Sequence, residues 1–218
     1  YHVLLPVAWL MGMALVVFTL AFVIALRWLI MPRRLQPGVY SIYSGTYIRK
    51  WIVNLVTEVS LDTLSSLYAT VYMRGWYRLM GAQIGKGAEI STNIGGRFDL
   101  ISIGGHSFMA DECSLGDEDI HRGWMTLEKT TIGERVFVGN NAVIAPGADL
   151  AAGTLIGVKS KAPASGITGE NETWFGSPPI KFPVRQQFGT HGADTTYTPS
   201  LRMKSTREGA NQKEMAGH

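Results

Sequence analysis

The sequence predicts a mainly β chain: a parallel β-helix of hexapeptide repeats, preceded by one transmembrane helix and an amphipathic helical segment. Three observations predict it. Aliphatic residues recur at every sixth position from Ile132 to Ile156 without a slip. An uncharged apolar run covers Leu4 to Leu26. Between them, apolar residues fall at helical spacing with charged ones interleaved.

The apolar run comes first. As a helix rising ~1.5 Å per residue, its twenty-three residues extend roughly 34 Å, enough for a hydrocarbon core of ~30 Å. Trp9 and Trp28 sit near its ends, where interfacial aromatics belong, and Pro32 stops it. A cleavable signal peptide needs a basic leader and a shorter apolar region. Here the basic residues Arg27, Arg33 and Arg34 follow the run. Joined by Arg49 and Lys50, they put the rest of the chain on the cytoplasmic side by the positive-inside rule. Residues 1–31 are therefore read as a single span. A chain that begins at Tyr1 and enters this run almost at once is read as a fragment or processed product.

Residues 32–81 follow as a juxtamembrane helical segment. After the turn-like Gln36–Gly38, Ile48, Ile52, Leu55 and Val59 mark one helical stripe, which Leu64, Leu67, Val71 and Tyr72 continue. Asp62 offers a place to divide the stretch into two helices. Such helices lie in a membrane interface or close the open end of the domain that follows.

The domain at 82–183 is fixed by the repeat. IGERVF, VGNNAV, IAPGAD, LAAGTL and IGVKSK follow one another from Ile132. IGGHSF, MADECS and LGDEDI begin at Ile103, and a third set starts at Ile84 and Ile90. A period of six fits neither a helix nor a plain strand. It fits a triangular coil, in which each hexapeptide gives a short strand and a corner, and its aliphatic residue points inward. Residues 184–218 turn polar and weakly patterned, as a tail or linker does.

The repeat breaks twice. From Leu115 to Ile132 the step is seventeen residues, read as one short of the eighteen of a full rung, and it carries GDEDIHRGWMTLEKT. A slip between Ile90 and Ile103 carries Arg97, Phe98 and Asp99. Loops on a rigid scaffold are where sites are built.

These repeats resemble the hexapeptide-repeat acyltransferases, whose coil is left-handed, and the closing GSPPIKFP resembles the segment that ends such coils. The motif order is narrower: an apolar span, RLMGAQIGKGAEIST, FDLISIG, GDEDI, GWMTL, TIGERVFVGNNAVI and FGSPPIKFP. It resembles the membrane-embedded tandem carboxy-terminal modules of ε-poly-lysine-synthetase-like nonribosomal peptide synthetases. The resemblance implies transfer of an acyl or aminoacyl group from a pantetheine thioester, carrier-bound or on coenzyme A, to an amine or hydroxyl. It implies carrier and adenylation domains as partners, and a homotrimer or a tandem sister module as the assembly. Two other readings stay open: a non-catalytic scaffold organising synthetase domains at the membrane, and a coenzyme A-dependent sugar O-acetyltransferase.

The chemistry asks for a general base, and imidazole suits it because its ordinary pKa near 6.5 lets it accept and return protons at neutral pH. His121 and His106 are the histidines of the coil region. Each is equally readable as a solvated side chain. Asp117, Glu118 and Asp119 stand near His121, to orient its ring, to bind a cationic substrate, or as a solvated acidic loop. Asp99 is a further orienting or turn-capping carboxylate. Trp124 walls a thioester channel or covers apolar surface. Asn140, with Asn141, sits at a corner where asparagine tolerates left-handed backbone. Cys113 reads as a buried filler, and as the one cysteine it forms no intrachain disulfide.

Other classes find little support. Carbonic anhydrases share this kind of coil, but zinc hydrolysis needs about three converging ligands, usually histidines. Two histidines without close pairing predict no metal. A net charge of +3 without an aromatic-and-basic motif predicts no nucleic-acid partner.

Overall fold

The computed structural model describes residues 4–63 and 71–183. Leu64 and Leu67 of the expected helical stripe, and the polar stretch 184–218, lie outside the described residues.

Helix α1 (Leu4–Ile30) is uninterrupted. Its outer part is clothed in exposed apolar side chains, among them Trp9, Leu10, Met11, Leu15 and Phe18. Its one hydroxyl side chain is satisfied internally, because Thr19 Oγ1 donates to the Leu15 carbonyl at 2.8 Å. It is the one helix among the described residues long and apolar enough to cross a membrane. Toward its end Val23 and Arg27 become buried, where α1 meets α2 (Gly45–Thr63) and α3 (Val71–Met80).

Helix α2 presents the face opposite to the one its pattern suggests. Ile48, Leu55 and Val59 of the apolar stripe are exposed, together with Trp51. The covered face carries Lys50, Val53, Thr57, Ser60 and Leu61. Burying polar groups costs little when they are paired. Thr57 Oγ1 donates to the Val53 carbonyl at 2.8 Å, Ser60 Oγ to that of Thr57 at 2.7 Å, and Lys50 has an ionic partner. Ahead of α2, inside the segment expected to be helical, Gly38–Ser41 is a strand, β1.

Helix α3 closes the end of the coil. Met73, Trp76, Tyr77 and Met80, at spacings of three and four, form its buried face. Tyr77 packs between Trp76 and Phe98, with ring centroids 5.2 and 6.0 Å away. Its hydroxyl donates to the Thr92 carbonyl at 2.8 Å, so the ring is buried without stranding its polar end.

The coil stacks three sets of strands. One runs β2 (Gln83–Ile84), β4 (Ile101–Ile103), β9 (Thr130–Ile132), β12 (Asp149–Leu150). Another runs β3 (Glu89–Ile90), β5 (Phe108–Met109), β10 (Phe137–Val138), β13 (Leu155–Ile156), β14 (Thr173–Phe175). The third pairs β6 (Ser114–Leu115) with β11 (Val143–Ile144). All these pairings are parallel. An antiparallel strand, β15 (Ile180–Phe182), covers the edge beyond β14. The repeat residues form buried columns: Ile84, Ile103, Ile132 and Leu150 in one, Ile90, Met109, Val138 and Ile156 in the next, Leu115 and Ile144 in the last. Each such burial is worth about 1.5–3 kcal/mol in removed apolar surface.

The register corrects the reading of the longer break. Ile103 pairs directly with Ile132, and Leu115 with Ile144. No rung is missing. The seventeen residues replace a single six-residue step, and the surplus leaves the coil as a hairpin, β7 (Asp119–His121) and β8 (Trp124–Leu127).

Candidate functional site

The hairpin is held as the middle and outer strands of a three-stranded antiparallel sheet, β1–β8–β7. At its tip Arg122 and Gly123 both have positive φ, 47° and 83°, as a two-residue I′ turn demands. The Ile42 amide donates to the Gly123 carbonyl at 3.0 Å and pins the tip to the residue that follows β1. Register brings Ser41, Trp124 and His121 side by side, and Val39, Thr126 and Asp119 in the adjoining row. Directly opposed residues share a sheet face. Met125 and Leu127 take the other face and are buried in the core. His121, Asp119 and Trp124 are exposed.

The root of the hairpin is a charged cluster. Lys50, from the covered face of α2, is 2.5 Å from Glu118 Oε1. Buried Arg97 pairs with Asp117 and stands 3.5 Å from Glu118 Oε2. Ser114 Oγ donates to Asp117 Oδ2 at 2.6 Å. Burial works to raise the Asp117 carboxyl, but Arg97, Ser114 and Lys50 outweigh it and hold it below its ordinary value. Glu118 is likewise lowered against burial, by its hydrogen bond and charge pairing with Lys50 and by Arg97. Burial in turn pulls the Lys50 ammonium down from its usual value.

The shorter break has the same character. Asp99 is buried and pairs with Arg27 of α1, and it accepts the Leu35 amide at 3.0 Å. Three of the acidic candidates, Asp99, Asp117 and Glu118, thus spend their charge on fastening α1, α2 and the hairpin to the coil. Asp119 lies on the open sheet face beside His121.

His106 stands elsewhere, at a coil corner with φ 55°. Arg135 and Asn171, at φ 55° and 57°, and glycines 87 and 153 hold the matching corner in other rungs. Its ring lies over Gly87, where a Cβ would come within 2.6 Å of His106 Nδ1. Asn140 is exposed, and its carbonyl accepts the Lys159 amide at 2.8 Å. Asn141, beside it, has the left-handed backbone (φ 54°) and reaches Glu112 on the next rung at 2.7 Å. Cys113 is buried, and burial pushes its thiol up to about 12.

Sequence reasoning missed Arg27, Lys50 and Ser41 as parts of this neighbourhood. Lys50 carried a signal, since it shares one helical face with Val53, Thr57 and Leu61. Among the described residues, no three His, Cys, Asp or Glu side chains gather as a metal site.

Over 182 residues, 84% of this chain, the sequence is 43% identical to delta-poly-L-ornithine synthetase of Acinetobacter baumannii (strain AB307-0294). This chain is related to a part of that poly-amino-acid synthetase. The expected kinship with synthetases of that kind is thereby shown, while the chain spans 14% of that synthetase's length. No family model matches it. Among solved structures, a maltose O-acetyltransferase from Clostridium difficile 630 is 14% identical, with a TM-score of 0.49 over 69% of this chain and 94% of that one. A serine acetyltransferase in complex with CoA is 16% identical, with a TM-score of 0.37 over 63% and 56%.

Proposed function

We propose that this relative of the poly-amino-acid synthetases is a membrane-anchored transferase module that moves an acyl or aminoacyl group from a pantetheine thioester to an amine or hydroxyl. The observation that carries the reading is the 43% identity to a poly-ornithine synthetase across nearly the whole chain. In this reading α1 spans the membrane, the basic residues after it keep the left-handed coil cytoplasmic, and carrier and adenylation domains or a sister module complete the assembly.

The pantetheine arm is a substrate here. An acceptor nitrogen attacks the thioester carbonyl, the C–S bond breaks, and sulfur leaves as thiolate. His121 takes the proton lost by nitrogen and returns it to sulfur, with Asp119 beside it on the sheet face and Trp124 as the apolar wall against the arm. Support for His121 over His106 comes from the sheet, which offers neighbours on one exposed face, whereas His106 occupies a repeating corner. A base in such a role contributes about 10²–10⁴-fold.

A scaffold role is favoured by one specific observation: Asp99, Asp117 and Glu118, three acidic residues of the two breaks, are engaged in fastening α1, α2 and the hairpin to the coil. Protein reconstituted in vesicles, offered ornithyl-, lysyl- and acetyl-pantetheine with amine acceptors, tests the two readings. Turnover lost in His121→Ala, His106→Ala protein that remains folded supports transfer. No turnover from folded protein with any donor sinks it in favour of the scaffold.

A further inference from the structure

The face of α2 turned away from the coil is apolar, and a basic cleft opens beside it. Ile48, Trp51, Leu55 and Val59 form the exposed stripe. The cleft, of about 450 Å³, lies where α1 ends and is lined by Arg33 and Arg34 from the linker and Arg49 from α2. Gln36 and Thr46 add polar groups to its wall, and Leu35 is part of its apolar lining. The buried basic residues Arg27, Lys50 and Arg97 each have a carboxylate. Arg33, Arg34 and Arg49 have no ion pair among the described residues. Three arginines lining one cleft without an ion-pair partner call for an anion, and guanidinium matches phosphate in forked geometry. An apolar stripe next to such a cleft calls for a ligand that is phosphate at one end and hydrocarbon at the other.

We infer that the cleft lined by Arg33, Arg34 and Arg49 binds the phosphate of an anionic membrane phospholipid, whose acyl chains run along the exposed Ile48–Trp51–Leu55–Val59 face of α2. The position agrees with the chemistry: the cleft sits at the end of the apolar helix, at the depth where headgroups lie if α1 spans. The inference rests on that spanning reading and is independent of the transfer chemistry. Its consequence is that α2 lies in the membrane surface and sets the height of the hairpin root above the bilayer.

The test uses the full chain in neutral detergent, exchanged against mixed phosphatidylglycerol and phosphatidylcholine, with retained lipid read by native mass spectrometry. Retention of phosphatidylglycerol over phosphatidylcholine is expected, weakened about fivefold in Arg49→Gln and about a hundredfold in the Arg33→Gln, Arg34→Gln, Arg49→Gln variant. Equal retention of both lipids overturns the proposal. So does a preference that survives in the triple variant, or displacement of phosphatidylglycerol by coenzyme A, which would assign the cleft to a soluble phosphate. Co-flotation with phosphatidylcholine vesicles reads insertion of α1 alone, so failure of the span is distinguished from failure of the cleft. The arginines are exposed, and protection of Cys113 from thiol reagents reports that each variant is folded.

Discussion

Lys50 of α2 meets Glu118 at the root of the hairpin, Nζ to Oε1 at 2.5 Å, across sixty-eight residues of chain. Through this contact, with Arg97 behind it, α2 grips the hairpin that leaves the coil. The hairpin is thereby fixed at both ends, by charge at its root and by β1 along its edge.

Removing the cation leaves Glu118 with the more distant Arg97. Lys50→Met is expected to lower stability by about 2 kcal/mol, given that the carboxylate keeps some contact with water. The thermal midpoint in detergent checks it. A Lys50→Met, Glu118→Leu double variant that recovers much of the loss would mark the cost as that of a stranded charge.

Acid should act on the same joint. Glu118 is held below the ordinary glutamate value, near 4.3, so the folded state binds fewer protons than the unfolded one around that pH. Its contribution is complete above the ordinary value and is lost as pH falls through the lower, folded one. Thermal midpoints measured from pH 7 to 3 should therefore drop less steeply for Glu118→Gln than for the wild-type chain.

His121→Ala is expected to reduce thioester-dependent transfer at least about 100-fold, and His106→Ala less than about tenfold. Initial rates in vesicles with matched protein content decide this. The reverse order would move the reactive centre from the hairpin sheet to the corner above Gly87.

Rung spacing leaves no room at Gly104, where an added Cβ would stand 2.4 Å from the Gly133 carbonyl carbon. Backbone there is shared with the next rung and cannot yield cheaply. Gly104→Ala should cost about 1–3 kcal/mol, read as a lower denaturation midpoint. Gly123→Ala meets nothing within 4 Å, so its cost should come from the positive φ alone.

Cys113, buried and with its thiol raised to about 12, should resist maleimide at pH 7.5 while the chain is folded and react on denaturation. Labelling in the native state would place it on an accessible surface.

The inward columns were legible because one spacing ties sequence to geometry: a residue six positions on turns a corner and faces inward again. Nothing comparable announces Lys50–Glu118 or Arg27–Asp99, since ion pairs formed across long stretches of chain leave no period. The apolar stripe of α2 was real in the sequence, but periodicity marks a face without saying what it faces. The polar side could be covered because Lys50 meets Glu118 and the Thr57 and Ser60 hydroxyls bond to carbonyls of their own helix. β1 is four residues long, too short to alternate visibly. The seventeen-residue break was misjudged because its length lies close to a whole rung, and only the pairing of Ile103 with Ile132 reveals an excursion.

That pairing carries an evolutionary consequence. A chain that departs after Leu115 and rejoins at Ile132 leaves the stacking above and below untouched. The excursion is thus a replaceable cassette: its length and chemistry can drift while every core column keeps its partners. Change in what the hairpin presents is cheapest at this doorway in the coil.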